Sequence, residues 1–175
     1  MSKPQKIIIT GLPGSGKTTI ARIIGEALGL PVIDTDSHCF DSNWNRKKEE
    51  EIFSIIERLV SGDHWILDGL YGNIADKFIS KADAVIYIRI NTVATLINLI
   101  RRKVRHLLHP KAHNYSGKRK LMVTKTIKTT FFKRLGSYKK WDGIIKNNKD
   151  SVEIITIHNT RKKTLSRIID RIEKM

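Results

Sequence analysis

Short runs of apolar residues, many of them β-branched, occur at positions 6–10, 32–34, 65–68, 84–90 and 152–157. Each run is apolar nearly throughout, the pattern of a strand covered on both faces. The stretches between them carry apolar residues at spacings of three and four, the pattern of helices with one buried side. From Lys17 to Leu28, the residues Ile20, Ile23, Ile24, Ala27 and Leu28 share a helical face. Segment 37–62 holds a charged cluster at 46–51 followed by Ile52, Phe53, Ile56, Leu59 and Val60, and is predicted to be a helical insert above the sheet edge. After the fourth run, Leu96, Leu99, Ile100, Val104 and Leu107 alternate with Arg101, Arg102 and Arg105, and Pro110 ends that helix. A loop at 113–119 precedes a second basic helix reaching about residue 149. There Phe131, Phe132, Leu135, Tyr138 and Trp141 recur at helical spacing, predicting a core stripe rather than a base-stacking platform. Strands alternating with helices give an α/β fold, a five-stranded parallel sheet flanked by helices in three layers. Ligands of such sheets sit at the carboxyl ends of the strands.

The first strand breaks directly into Gly11-Leu-Pro-Gly-Ser-Gly-Lys17-Thr18-Thr19, a GxxxxGK(S/T) loop opening a helix. Phosphate needs many donors at close range, and a glycine loop entering a helix supplies them as backbone N–H groups reinforced by the helix dipole. Gly11, Gly14 and Gly16 keep side chains out of the way, while Pro13, Ser15 and Thr19 complete the loop. Lys17 is placed to reach the β and γ phosphates and the Thr18 hydroxyl to meet Mg²⁺. The motif therefore predicts a nucleoside triphosphate site of the P-loop NTPase kind.

The strand-end rule selects Asp34 and Asp36 after the second strand, Asp68 and Gly69 after the third, and residues 159–162 after the fifth. Asp68 is positioned to hold Mg²⁺ through water. Asp36 lies where an acceptor hydroxyl would lose its proton on attacking the γ phosphate; an acceptor that is itself a phosphate needs no base. Both carboxylates have an alternative reading as caps of the turns that follow. Phosphoryl transfer depends chiefly on charge neutralisation, so Arg101, Arg102, Arg105 and Arg119, which border the long loop, join Lys17 as candidate catalytic cations. They are also the charges that a solvated helix face carries. His106, His109 and His113 have a HxxHxxxH spacing, but Pro110 interrupts the helix that would align them, and they are read as basic surface rather than a metal site.

The chain has 175 residues and a formal net charge of +16, distributed unevenly. Residues 1–88 hold 10 Lys and Arg against 12 Asp and Glu, whereas residues 89–175 hold 23 against 5. Such a surface attracts polyanions, which keeps nucleic acid open as a partner of the second half; a lysine-rich solvating surface is the plainer reading. One domain over 1–175 is expected, with the insert at about 37–62 and a basic lid region at about 101–148. No apolar run reaches 18 residues, so no membrane span is expected. Cys39 is the only cysteine, which excludes an intramolecular disulfide and agrees with a cytoplasmic location. No heptad seam marks an oligomer interface.

With those residues in view, the chain resembles the adenylate kinase-related small kinases of the P-loop class, and among them the bacterial DNA topology modulation protein group. The resemblance rests on GLPGSGKTT, on Asp36 with Trp44 several residues on, on WILDGLYG at 65–72, on the strand ADAVIYI, and on the arginine-rich helix through Arg101 and Arg105. It implies a nucleoside- or nucleotide-kinase-like fold with the first strand central, a substrate-binding insert after the second strand and an arginine-bearing lid after the fourth. ATP would be the phosphoryl donor, with its adenine near residues 158–161, including Asn159 and Arg161. The implied activity is that of an ATP- and Mg²⁺-dependent phosphotransferase on a small acceptor, a nucleotide or nucleoside first. A nucleic-acid-binding regulator or polynucleotide-end kinase is the alternative. The Asp after the second strand is similar to that of shikimate and gluconate kinases, so the acceptor class stays open. The third-strand segment reads DGLYG where adenylate kinases carry a DGFPR-like run.

Overall fold

The computed structural model describes residues 4–41, 45–91, 95, 97–101, 104 and 138–175. The five apolar runs form β1 (Lys6–Gly11), β2 (Val32–Asp34), β3 (Trp65–Asp68), β4 (Ala84–Ile88) and β5 (Glu153–Ile157). They pair in the order β2-β3-β1-β4-β5, every neighbour parallel. The first strand is therefore central. Ile7 stands beside Ile66 and Ala84, and Ile8 beside Leu67 and Val85. With a side-chain period of two, that register sends whole rows of isoleucine, leucine and valine to the same face.

The helices are α1 (Lys17–Leu28), α2 (Thr35–Cys39), α3 (Glu49–Leu59), α4 (Ala75–Ile79), a stretch α5 that is helical at 95, 97–101 and 104, α6 (138–148) and α7 (Lys162–Glu173). Parallel crossovers are right-handed, so the direction of travel along the sheet decides which face each helix covers. The step from β1 to β2 runs toward the β2 edge, and it puts α1 on one face. The steps β2 to β3, β3 to β4 and β4 to β5 run the other way, and they put α3, α4 and α6 on the opposite face. Two buried clusters record the result. Ile7, Ile9, Ile66 and Ile86 pack with Ile20 and Ile24 of α1 and Ile168 and Ile172 of α7. Ile8, Leu67, Val85 and Tyr87 pack with Ile52, Ile56, Phe78, Trp141 and Ile144. Burying each such side chain contributes about 1.5–3 kcal/mol, which makes the apolar spacing, not helix propensity, the determinant of helix orientation.

The insert differs from the sequence expectation. Ile52 and Ile56 are fully buried against the sheet, so α3 covers a sheet face instead of rising above its edge. The apolar spacing from Ile52 onward is what demands that cover. Val32 is 40% exposed because β2 is the edge strand with its outer side open. Trp141 joins the core as expected for its stripe. Phe131, Phe132 and Leu135, with Trp44, Arg102, Arg105, Arg119, His106, His109 and His113, lie outside the described residues. No helix among the described residues is long and apolar enough to cross a membrane.

Candidate active site

β1 delivers the chain to Gly11, and the glycine loop turns into α1 with the Ser15 N–H donating to the Leu12 carbonyl at 3.1 Å. Gly16 caps α1 at φ +90°, without a side-chain acceptor for the first-turn N–H groups. Those donors are left for an anion. Gly14 has φ +80°, and a Cβ there would lie 2.7 Å from Leu99 Cγ and 3.0 Å from the Thr95 carbonyl oxygen. Glycine is required at 14 by both conformation and space, because α5 is packed onto the loop. Asn98 Nδ2 donates to the Gly14 carbonyl at 3.1 Å, a second tie between α5 and the loop.

Lys17 Nζ donates to the Leu12 carbonyl at 3.2 Å. Its Cε also lies 4.0 Å from the place a Gly69 Cβ would take. The lysine stem thus spans from the phosphate loop to the carboxyl end of β3. Asp68 ends that strand and is 5% exposed. Its Oδ1 has no hydrogen-bond partner among the described residues, and neither has the buried Ser15 Oγ. Burial pushes the Asp68 carboxyl up from its ordinary value, the Thr18 hydroxyl and the Lys17 ammonium pull it back, and Asp34 and Asp36 add to the push. A desolvated carboxylate with an orphaned oxygen, facing a threonine hydroxyl, fits a hard divalent cation that keeps several waters. Thr18 and Asp68 are the residues that would hold Mg²⁺. Among the described residues no group of three or more His, Cys, Asp or Glu is placed to hold a metal ion.

The carboxyl end of β2 meets the same place. Thr35 Oγ1 donates to the Gly69 carbonyl at 2.6 Å. The Asp34 side chain accepts from the Asp36 N–H at 3.0 Å and caps α2, which assigns Asp34 a structural task. The Asp36 carboxylate accepts from the Tyr71 hydroxyl at 2.9 Å. Burial, then the charge of Asp36, push the Tyr71 phenol up, so it stays a donor at neutral pH. Burial also pushes the Cys39 thiol up to about 11, with Asp36 adding to the rise. The Arg46 guanidinium lies over the Tyr71 ring, 4.4 Å from its centroid. Phe40 and Arg46 form an antiparallel bridge, and Lys47 N–H donates to the Cys39 carbonyl at 3.1 Å, so backbone pairing fixes where Arg46 starts.

The loop after β5 runs beside the phosphate loop, with Thr160 Cγ2 3.7 Å from a Cβ placed at Gly16. Asn159 Oδ1 accepts from the Arg161 N–H at 3.2 Å and the Thr164 hydroxyl at 2.6 Å. Its side-chain oxygen therefore closes the turn before α7, whose N-cap, Arg161, makes no side-chain cap bond and is exposed. Arg101 is exposed on α5, one turn from Asn98. Behind this end of the sheet, Asp142 of α6 pairs with Arg89 at 3.1 Å and accepts from Tyr87 at 3.1 Å, locking α6 to β4. Sequence reasoning missed Thr35, Arg46, Tyr71, Asn98 and Leu99. Only Tyr71 carried a usable signal, three residues beyond the end of an apolar strand.

The glycine loop, the Lys17–Thr18–Asp68 group and a second carboxylate, Asp36, thus meet at the carboxyl ends of β1, β3 and β2. The profile of the ATPase family associated with various cellular activities (AAA) matches residues 7–174. The chain belongs to that family. Threonine synthase-like 1 of Mus musculus is 46% identical over 48 residues, 27% of this chain and 6% of that protein. Shikimate kinase of Caldicellulosiruptor bescii is 30% identical over 97 residues, 47% of this chain and 56% of that protein. The chain thus spans a small part of the first relative's length and about half of the second's. The structure of shikimate kinase from Acinetobacter baumannii with shikimate superposes with a TM-score of 0.59 at 20% identity, covering 97% of this chain and 93% of that one. That likeness shows the fold: a parallel sheet flanked by helices, as in small-molecule kinases.

Proposed function

We propose that this chain is an ATP- and Mg²⁺-dependent kinase, one domain that transfers the γ-phosphoryl group to a small acceptor bound beside α2 and α3. The observation that carries the reading is the meeting of three strand ends. Lys17 of the phosphate loop, Asp68 and Gly69 of β3, and Thr35 and Asp36 beyond β2 adjoin one another. That is the layout of a donor phosphate facing an acceptor, with a base on the acceptor side.

The roles follow from the chemistry of each group. The loop N–H groups and Lys17 neutralise charge that grows on the phosphates, and Lys17 leaves the Leu12 carbonyl to do so. Thr18 and Asp68 would hold Mg²⁺, which would supply further neutralisation of charge on the phosphates. The acceptor oxygen forms a bond to the γ phosphorus as the bond to the β,γ-bridging oxygen breaks, ADP leaves, and the hydroxyl proton passes to Asp36. Tyr71 holds that carboxylate by its hydroxyl. Arg101 stands on the helix tied to Gly14, with Arg102 and Arg105 proposed beside it as further cations. Residues 158–161 flank the adenine.

Nucleosides and nucleotides are the first acceptor class, on the likeness of the 65–72 and 82–88 segments to adenylate kinase-related proteins, nearest the DNA topology modulation group. A hydroxy acid is the second, favoured by the Asp34-x-Asp36 pair and by the shikimate kinase relative. The buried single thiol agrees with action in the cytoplasm. ADP release from Mg-ATP over a panel of both classes tests the reading. Turnover that disappears in Lys17→Ala and falls at least about 100-fold in Asp36→Asn supports it; full activity of Asp36→Asn removes the base.

A further inference from the structure

The positive charge of this chain is not spread over all of its faces. Of its 33 Lys and Arg, 16 lie at 101–149 beside a single acidic residue, Asp142. Within that segment, Trp141 and Ile144 pack α6 on the sheet face opposite α1 and α7. Two copies can therefore meet through α1 and α7 without bringing their α6 helices together. Between α1 and α7 lies an open groove of about 350 Å³, lined by Ile23, Lys162, Leu165, Ser166, Ile169 and Asp170. Ile23 and Ile169 are only partly buried in it.

Rows of residues four apart run along a helix surface and decide how it packs. On α1 the row through Ile23 is Thr19, Ile23 and Ala27, which carries no charge. On α7 the row along the groove is Lys162, Ser166 and Asp170: a cation, a small residue and an anion, all exposed. Neither Lys162 nor Asp170 makes a hydrogen bond or ion pair among the described residues, whereas Arg171 on the next row is paired with Glu153. The α7 row is its own complement. A two-fold axis through Ser166 sets a second α7 antiparallel to the first, with Ser166 against Ser166 and each Lys162 against the other copy's Asp170. Each charge stands about 6 Å along the helix from the serine, so both ion pairs form in one pose. The small Ser166 side chain lets the two axes approach to about 8–10 Å.

We propose that this chain forms a two-fold homodimer in which each α7 lies in the α1–α7 groove of the other copy and covers Ile23 and Ile169. The helices have 12 residues each and are about 18 Å long. A face two such helices wide is at the small end of specific interfaces, and the dimer dissociates with a Kd on the order of 10 μM.

Sedimentation equilibrium of the full chain from about 1 to 200 μM tests it, with a monomer–dimer equilibrium expected. Lys162→Glu alone and Asp170→Lys alone each set two like-charged pairs across the axis, and each is expected to raise the Kd at least about tenfold. Both side chains are exposed, so the thermal midpoint of each variant should match the parent's. The double variant exchanges the two charges and should return the Kd to within about threefold of the parent's. An equimolar mixture of the two single variants restores both opposite-charge pairs, and should form a heterodimer where neither variant pairs with itself. A chain that stays monomeric throughout the range overturns the proposal. Single variants that associate as tightly as the parent overturn it too, as does weakening that neither the double variant nor the mixture repairs.

Discussion

Substituting Gly14 by alanine separates two demands the fold makes on the phosphate loop. The residue has φ +80°, and its added Cβ would lie 2.7 Å from Leu99 Cγ and 3.0 Å from the Thr95 carbonyl. The left-handed backbone costs about 1–2 kcal/mol for an L-residue. Forcing a methyl into a packed contact adds about 1–3 kcal/mol. Gly14→Ala is therefore expected to destabilise by about 2–5 kcal/mol. Gly16→Ala is the control: φ is +90°, but the nearest atom is 3.7 Å away, leaving only the backbone cost of about 1–2 kcal/mol. Denaturant unfolding of Gly14→Ala, Gly16→Ala, Leu99→Ala and the two doubles gives the cycle. Gly14 and Leu99 should couple by about 1 kcal/mol or more, because truncating Leu99 makes room for the new methyl, while Gly16 and Leu99 should be additive to within about 0.5 kcal/mol. Additivity of Gly14→Ala with Leu99→Ala refutes the docking of α5 on the loop.

Other predictions concern charge. Because the folded Cys39 pKa is raised from 9.0 to about 11, the native state holds a proton that the unfolded chain releases between those values; the thiol's contribution to stability is unchanged below pH 9 and falls by about 1.4 kcal/mol per pH unit from 9 to 11. Cys39→Ala should flatten that part of a pH–stability curve, and iodoacetamide at pH 8 should alkylate the native thiol at least about 100-fold more slowly than the denatured one. Asp68→Asn should leave the thermal midpoint of the nucleotide-free protein unchanged or higher, since burial disfavours the Asp68 charge, yet abolish the further stabilisation by Mg-ATP that chelator removes from the parent; a lowered midpoint without ligand contradicts the assignment. If the basic second half holds a polynucleotide, oligonucleotide affinity should fall linearly in log–log with salt, with a slope near −0.7 per phosphate contacted by single strands. A flat salt response excludes that role.

Local chemistry made much of this molecule legible. The glycine loop announces itself because its function is performed by consecutive backbone groups, and α1 falls at 17–28 as its apolar spacing requires. Asp36 and Asp68 are candidates by their position at strand ends, a rule that needs only strand order. Tyr71 and Arg46 were not, since the Tyr71–Asp36 bond joins residues 35 apart and the cation–ring contact depends on a hairpin with no pattern of its own. Asn98 bonds Gly14 across 84 positions and reads in sequence as one polar residue on a basic helix. Asn159, a candidate for the nucleotide by its place after β5, also closes the turn before α7 through its Oδ1, a local bond that sequence position alone does not reveal. The placement of α3 was misjudged because apolar spacing reveals that a helix is covered, and only the direction of the crossover reveals by which face.

Phosphorus NMR of the products formed from Mg-ATP and the acceptor panel, in parallel for the parent protein and Lys17→Ala, tests the central claim most directly. A new phosphoester resonance appearing in step with ADP, with its rate reduced at least about 100-fold in Lys17→Ala, is the result predicted for a kinase working through this loop. Inorganic phosphate alone, or phosphoester formed equally well by Lys17→Ala, contradicts it.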